Sequence, residues 1–352
     1  MDKLLDCVVI GAGQSGLYAA KCLDERGLDY IVLEADGVGE SWMRRPQSMR
    51  LFTSRRFCML PGLALEGAPD SYPLASEMGA YLRDYARHFQ LAVREHCPVT
   101  RLEKNADGHF TIRVGSDETL QARSVINATG SNQQPRVPEW VEGIDLGVSQ
   151  YTAELPDPDV VPEGQVLIVG GGASGRQLAN QLSRRCEVTL ARGKARPMPP
   201  NRVLGQDLFW WLNKLGLLFA DKHTPVARIL RRRNPVPCGD LKDPKLKRKG
   251  IRLMGRLAGF KEGEARFACG HTMRPDSVIW AVGYRDRTDW MAIPEALVDG
   301  EFAEDYGVSP VPGLFVVGRK WLSCRASELI MGVERDVQRI MSPLQEHLAL
   351  GN

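Results

Sequence analysis

The sequence predicts an α/β fold of two parallel-sheet units in one chain, with a small antiparallel β-meander attached to the first. Three observations predict it. The stretch VVIGAGQSGLYAAKCLDERGLDYIVLEAD (8–36) reads as apolar strand, glycine-rich turn, helix and second apolar strand. VLIVGGGASGRQLANQLSRRCEVTLARG (166–193) repeats that order. Residues 97–130 alternate apolar and polar, with turn residues at 106–108 and 115–117. Strand–helix–strand order marks a parallel crossover unit, whereas period-two alternation between short turns marks antiparallel pairing. At 352 residues the chain is longer than one hydrophobic core ordinarily serves, which agrees with two domains.

In the first unit, Gly11, Gly13 and Gly16 follow a strand at 7–10 and open a helix at 15–25. The first glycine permits the tight turn, the second lets backbone approach a pyrophosphate, and the third allows close helix–strand packing. Gln14 and Ser15 stand at the helix N-terminus, where unpaired N–H groups and the positive dipole end favour an anion. Glu34 closes the second strand, 30–33, where a carboxylate accepts from both hydroxyls of a free ribose, as in FAD. The competing reading is a glycine turn without a ligand. Trp42, after Gly37 and Gly39, offers a flat apolar surface either to a flavin or to the core. The helix expected at 77–91 carries Met78, Leu82, Tyr85 and Phe89 on one apolar stripe. The meander follows and leads into Ile126 and Ala128 before Gly130.

In the second unit, Gly170, Gly172 and Gly175 follow a strand at 166–169, with Ala173 and Ser174 between them, and open a helix at 175–185. These are Rossmann-like dinucleotide-binding units by context, not by glycines alone. The strand at 187–191 ends in Arg192, where a guanidinium can pair with the 2′-phosphate of NADPH and a carboxylate would repel it. Arg196 is an alternative source of that contact, and a plain surface role for Arg192 stays open. QDLFWWLNKLGLLF (206–219) predicts an aromatic helix, either domain core or a wall of the substrate cleft. A strand at 278–281 precedes Gly283, and a strand at 314–317 ends at Gly318. Both glycines either let backbone pass close to a cofactor or simply end strands. A helix from Ser327 onward would aim its N-terminal dipole at the pyrimidine end of a flavin.

Composition bounds the remaining possibilities. Apolar residues make up 43% and charged residues 25% of the chain, ordinary for a globular protein, and no apolar run reaches bilayer-spanning length. The first strand starts too near Met1 for a signal peptide, so the expected location is the cytoplasm and no membrane insertion is expected. Eight cysteines and six histidines show no metal or dithiol spacing, so no metal is expected. The net charge is +3, yet residues 222–261 hold thirteen Lys or Arg against Asp240 and Asp243. No nucleic-acid-binding signature accompanies that stretch, so a solvated face or a field steering an anionic nucleotide is expected rather than nucleic acid.

Five segments in order resemble those of class B flavin-containing monooxygenases, in particular the short bacterial CzcO-like flavoproteins, with YUCCA-type enzymes as relatives. They are GVGESW (37–42), MRLFTSRRFCMLPG (49–62, with Arg50 and Thr53), INATGSNQQPRVP (126–138, with Thr129), DSVIWAVGYRDRTDWM (276–291) and GLFVVGRKWLSCRASELIMGVERDVQRI (313–340). The resemblance implies a discontinuous FAD-binding domain (1–158 and 276–352) around an NADPH-binding domain (159–275). It implies oxygenation of a small organic substrate by dioxygen through a flavin hydroperoxide. Alternatives are an NADPH oxidase or dehydrogenase serving dioxygen, a quinone or a protein partner, and a non-catalytic flavin redox sensor. No catalytic side chain is assigned, because the flavin carries the chemistry. In the family string F-x-G-x-x-x-H-x-x-x-W this chain has Val141, Gly143, Gly147 and Tyr151. The imidazole position is therefore a glycine, and the expectation is a cleft less firmly closed to water, releasing hydrogen peroxide.

Overall fold

The computed structural model describes residues 3–46, 49–155, 157–193, 195–235 and 238–350. Its first sheet runs Val93–Arg94, Tyr30–Leu33, Leu4–Ile10, Glu118–Asn127, Phe110–Val114, Val99–Lys104. The long strand Glu118–Asn127 explains how a meander joins a parallel sheet. Its first half pairs antiparallel with Phe110–Val114. Its second half pairs parallel with Leu4–Ile10 on one side and Leu314–Val316 on the other. The meander is thus the sheet's own continuation rather than a separate flap. Helices Gln14–Asp24, Ala75–His88 and Val333–Leu350 bury one face, with Met78, Leu82 and Tyr85 of the predicted stripe fully buried. Residues 290–302 pack against the other face, together with the meander's apolar positions.

The second sheet is wholly parallel, in the order Arg252–Met254, Glu187–Ala191, Gln165–Val169, Ser277–Trp280, Ser149–Thr152. Two of these strands lie outside residues 159–275, the span expected for this unit. Ser277–Trp280 is buried throughout, and a strand buried on both faces belongs inside a parallel sheet. It therefore leads out of the second sheet, so the link back to the first unit begins only after it, at 281, just as the link out of the first unit begins at 128, after Glu118–Asn127. The two links then meet, as Gln134–Pro135 pairs antiparallel with Tyr284–Arg285.

Two further elements differ from expectation. The aromatic segment is helical only over Leu208–Lys214. Phe209 and Leu218 are buried with Phe52, Cys324, Ala326 and Leu329, so this part of the second unit packs on the first. The C-terminal helix begins at Val333, not Ser327, after the 3₁₀ turns Arg325–Glu328 and Ile330–Gly332. Ser327 Oγ accepts from the N–H groups of Ser323 (3.0 Å) and Cys324 (3.1 Å), turning the chain back on itself before a helix can start. Among the described residues no helix is long and apolar enough to cross a membrane, and no cluster of three or more His, Cys, Asp or Glu forms a cation site.

Candidate functional site

The two glycine turns face one cavity of about 1630 Å³ between the sheets. Each turn leaves its strand and enters its helix the same way. Gly11 (φ +100°) and Gly170 (φ +128°) adopt a conformation that disfavours any side chain. A Cβ on Gly11 would stand 2.9 Å from Ala128 O, and one on Gly170 2.1 Å from Ala281 O. At the third glycines a Cβ would collide with the turn itself, 1.9 Å from Gly11 O at Gly16 and 2.0 Å from Gly170 O at Gly175. The middle glycines differ in kind. Gly13 and Gly172 have ordinary extended backbone, and none of the described residues comes within 4 Å of either Cβ position. That free space opens at a helix N-terminus, where N–H groups await an anion. Both helices start immediately after these glycines, at Gln14 and Ala173.

Gly11, Gly13, Gln14, Ser15, Glu34, Trp42, Thr53, Thr129, Gly130 and Gly318 line the cavity from the first unit, and Gly170, Gly172, Ala173, Ser174, Arg192 and Gly283 from the second unit and its exit. Gly16 and Gly175 pack behind it. Arg50 is placed elsewhere: it is exposed and donates to Tyr72 O at 2.9 Å, because the bridge Arg50↔Leu74 puts it on the edge of the 49–74 loop while Leu51, Phe52 and Thr53 turn inward. Trp42 is half-buried against the core and also lies on the cavity wall. The aromatic segment reaches the wall indirectly, through Phe209 stacked on Phe52 at 5.7 Å.

The ends of the two units are differently equipped. Glu34 Oε2 accepts from Ala12 N–H (2.7 Å) and Oε1 from Asp36 N–H (3.1 Å), which orients the carboxylate and leaves lone pairs on both oxygens. Arg192 is engaged: its Nη1 donates to Asp243, and its Nε is buried without a partner among the described residues. Asp243 also receives Nη2 of the buried Arg176 at 2.8 Å, while Arg176 Nε donates to Gly171 O at 3.0 Å inside the turn. Burial disfavours the Asp243 charge, but the hydrogen bonds and charges of Arg176 and Arg192 outweigh it and hold its carboxyl below the usual range. Arg196 and Arg256 also line the cavity and have no carboxylate partner among the described residues.

Sequence reasoning missed the residues that join the units. Arg319, next to Gly318, donates twice to Asp286 (2.5 and 2.6 Å) and once to Gly130 O (3.2 Å), with its side chain 14% and that of Asp286 5% exposed. This bidentate pair ties the closing strand to both links. Asp207 accepts from Phe209 N–H (2.6 Å) and from Ser54 N–H (3.1 Å), joining the aromatic segment to the cavity loop. Charged residues beside link glycines were the available signal; their partners lie too far along the chain to be paired by reading.

Gly147 lies outside the cavity, in an exposed turn closed by its N–H on Asp145 Oδ1 at 2.8 Å, with none of the described residues within 4 Å of its Cβ position. The expectation that a missing side chain there loosens the cleft therefore loses its physical basis. Val141 is buried against the second sheet and Tyr151 packs on the opposite core, so this segment serves packing.

The profile of the pyridine nucleotide-disulphide oxidoreductases matches residues 8–202, more than half of the chain. The chain belongs to this family. Among relatives of this pyridine nucleotide-disulphide oxidoreductase, the CzcO-like oxidoreductase of Geobacillus kaustophilus is 32% identical over 350 residues, 99% of this chain and 100% of the relative. An indole-3-pyruvate monooxygenase, YUCCA1 of Oryza sativa, is 28% identical, with 88% and 86% covered. A solved flavin-containing monooxygenase from Stenotrophomonas maltophilia superposes with a TM-score of 0.80 at 25% identity, both chains covered completely. The CzcO-like and YUCCA resemblance read from the five motifs is thereby upheld, as is the two-unit Rossmann-like fold.

Proposed function

We propose that this oxidoreductase binds FAD at the first glycine turn, oxidises NADPH bound at the second, and oxygenates a small organic substrate. The observation carrying the proposal is that two matching turns face one cavity, each with free space where the middle glycine would bear a side chain. The residues fit the cofactors. The N–H groups at Gly13–Ser15 suit a pyrophosphate, and Glu34 keeps acceptor capacity for ribose hydroxyls. At the second turn Gly172, Ala173 and Ser174 suit the other pyrophosphate, and Arg192, Arg196 and Arg256 are the cations available to a 2′-phosphate. FAD, when bound, supplies hydride acceptance and dioxygen chemistry. The chain orients and dries the site: Trp42, Phe52 and Ile330 are among the apolar residues of its wall, and the Arg319–Asp286 pair holds the links around it. Relatives named as flavin-containing and indole-3-pyruvate monooxygenases support oxygenation as the outcome.

The test starts with the purified protein titrated with FAD, continues with anaerobic reduction by NADPH and NADH, and ends with mass spectrometry of products from amines and thioethers under labelled dioxygen. Incorporation of one labelled oxygen atom into a product is expected. Failure to take up FAD overturns the proposal entirely, and NADPH consumption yielding peroxide with every substrate replaces oxygenation by oxidase activity.

A further inference from the structure

Of the basic stretch 222–261, Arg256 lines the cavity, but the helix Pro225–Arg233 carries four arginines that do not. Thr224 Oγ1 accepts from Ala227 N–H at 3.2 Å, and Pro225 opens the first turn. Asn234 closes the helix in the left-handed region, its N–H on Leu230 O at 2.8 Å, and Arg231, Arg232 and Arg233 sit at the negative end of the dipole. Caps and dipole stabilise it where packing does not, since Ala227 is its only buried residue. Ile229, two residues on and about 200° around the helix, faces away from that contact. It is 53% exposed, and Val226 is 37% exposed. Arg228, Arg231, Arg232 and Arg233 are exposed and have no carboxylate partner among the described residues. None of the four lines the cavity, so none serves a nucleotide bound there, yet Asn234 and Pro235 immediately after them do.

We propose that this helix docks the protein on the surface of an anionic lipid bilayer. Ile229 and Val226 enter the boundary between headgroups and acyl chains, while the arginines reach lipid phosphates with their stems along the apolar surface. Charge complementarity sets the sign of the surface, and the outward aliphatic side chains favour a bilayer over nucleic acid, which offers stacking bases and phosphates but nothing apolar for an isoleucine to enter. The docked helix brings the cavity rim at Asn234 and Pro235 to the membrane surface. Resting on the proposed function, this points to lipophilic substrates drawn from the bilayer; the docking itself does not depend on that reading.

Flotation of the purified full-length protein with vesicles of phosphatidylcholine alone, or with about 30% phosphatidylglycerol added, tests the proposal. Binding to the anionic vesicles only is expected, weakened about fivefold for each of R228Q and R232Q and at least about tenfold for I229D. Circular dichroism should show all three variants folded as the parent, since these side chains are exposed. Equal binding to both vesicles, no binding to either, or I229D floating like the parent overturns the proposal. So does retention on duplex DNA that I229D leaves intact while vesicle binding is absent.

Discussion

The two glycine turns have nearly the same backbone, and what surrounds them differs. At the first, Glu34 is oriented by main-chain N–H groups of its own unit, within a few residues of the turn and of the strand end. At the second, Arg192 and the turn are both tied to Asp243, 51 residues beyond Arg192, with Arg176 as the connecting cation. The shape of the glycine turn is therefore a local backbone property, whereas the charge beside it is a property of the neighbourhood. The proposed division of labour, FAD at one turn and NADPH at the other, can be broken or sharpened at each of these points.

The largest effects are expected at the middle glycines. Gly13→Val should give a folded, colourless protein, because its Cβ meets none of the described residues but fills the proposed pyrophosphate path. Gly172→Val should stay yellow and lose reduction by NADPH. Flavin absorbance after purification and anaerobic stopped-flow reduction read the two losses separately, and loss of FAD from the second variant would show that the turns do not act independently.

Next in size is the seam. Asp286→Asn leaves Arg319 poorly paired in a nearly buried site, and breaking such a pair costs about 3–5 kcal/mol. Denaturant unfolding followed by far-UV dichroism should show that loss; an unchanged midpoint would mean the links hold the units without it.

A smaller change is expected at Arg192→Ala. A charge-assisted hydrogen bond contributes about 1.5–3 kcal/mol, and because Asp243 already shares this guanidinium, the lower end applies. The ratio of kcat/KM for NADPH over NADH should fall by about tenfold; an unchanged ratio would move phosphate recognition to Arg196 and Arg256.

Asp243 adds a pH dependence. Its folded pKa is lowered from 3.8, so its contribution to stability is present above the unfolded value and is lost as pH falls through the folded one. Between about pH 5 and pH 3 the thermal midpoint of Asp243→Asn should fall less than that of the parent. Parallel curves would show that other carboxylates govern acid unfolding.

The smallest expected effect is none: Gly147→His, in its exposed turn, should leave the fraction of NADPH electrons recovered as peroxide unchanged. A marked drop in peroxide would show that residue 147 influences the cavity after all.

Most of the first unit and the glycine cradles were readable from sequence because their constraints span short stretches. Gly11, Gly16 and the Met78–Leu82–Tyr85 stripe are recognised by a turn, a close approach and a helical period. The meander was readable too, but not its continuation as Glu118–Asn127, since one strand changing partners halfway leaves no mark in its alternation. Arg50 and Gly147 were placed by motif position, and both fall outside the cavity, because a residue's position in a motif does not determine which way the loop turns.

The sequence by itself determined the two strand–turn–helix units, their order, and which glycines form the turns, since backbone sterics and hydrophobic periodicity act over a few residues. Only the tertiary structure decided that Ser149–Thr152 and Ser277–Trp280 join the second sheet, that Arg319 finds Asp286, and that Arg192 shares Asp243. Those outcomes depend on which buried edges and charges meet once separate elements pack, and a buried charge must take whatever partner the packing brings within reach.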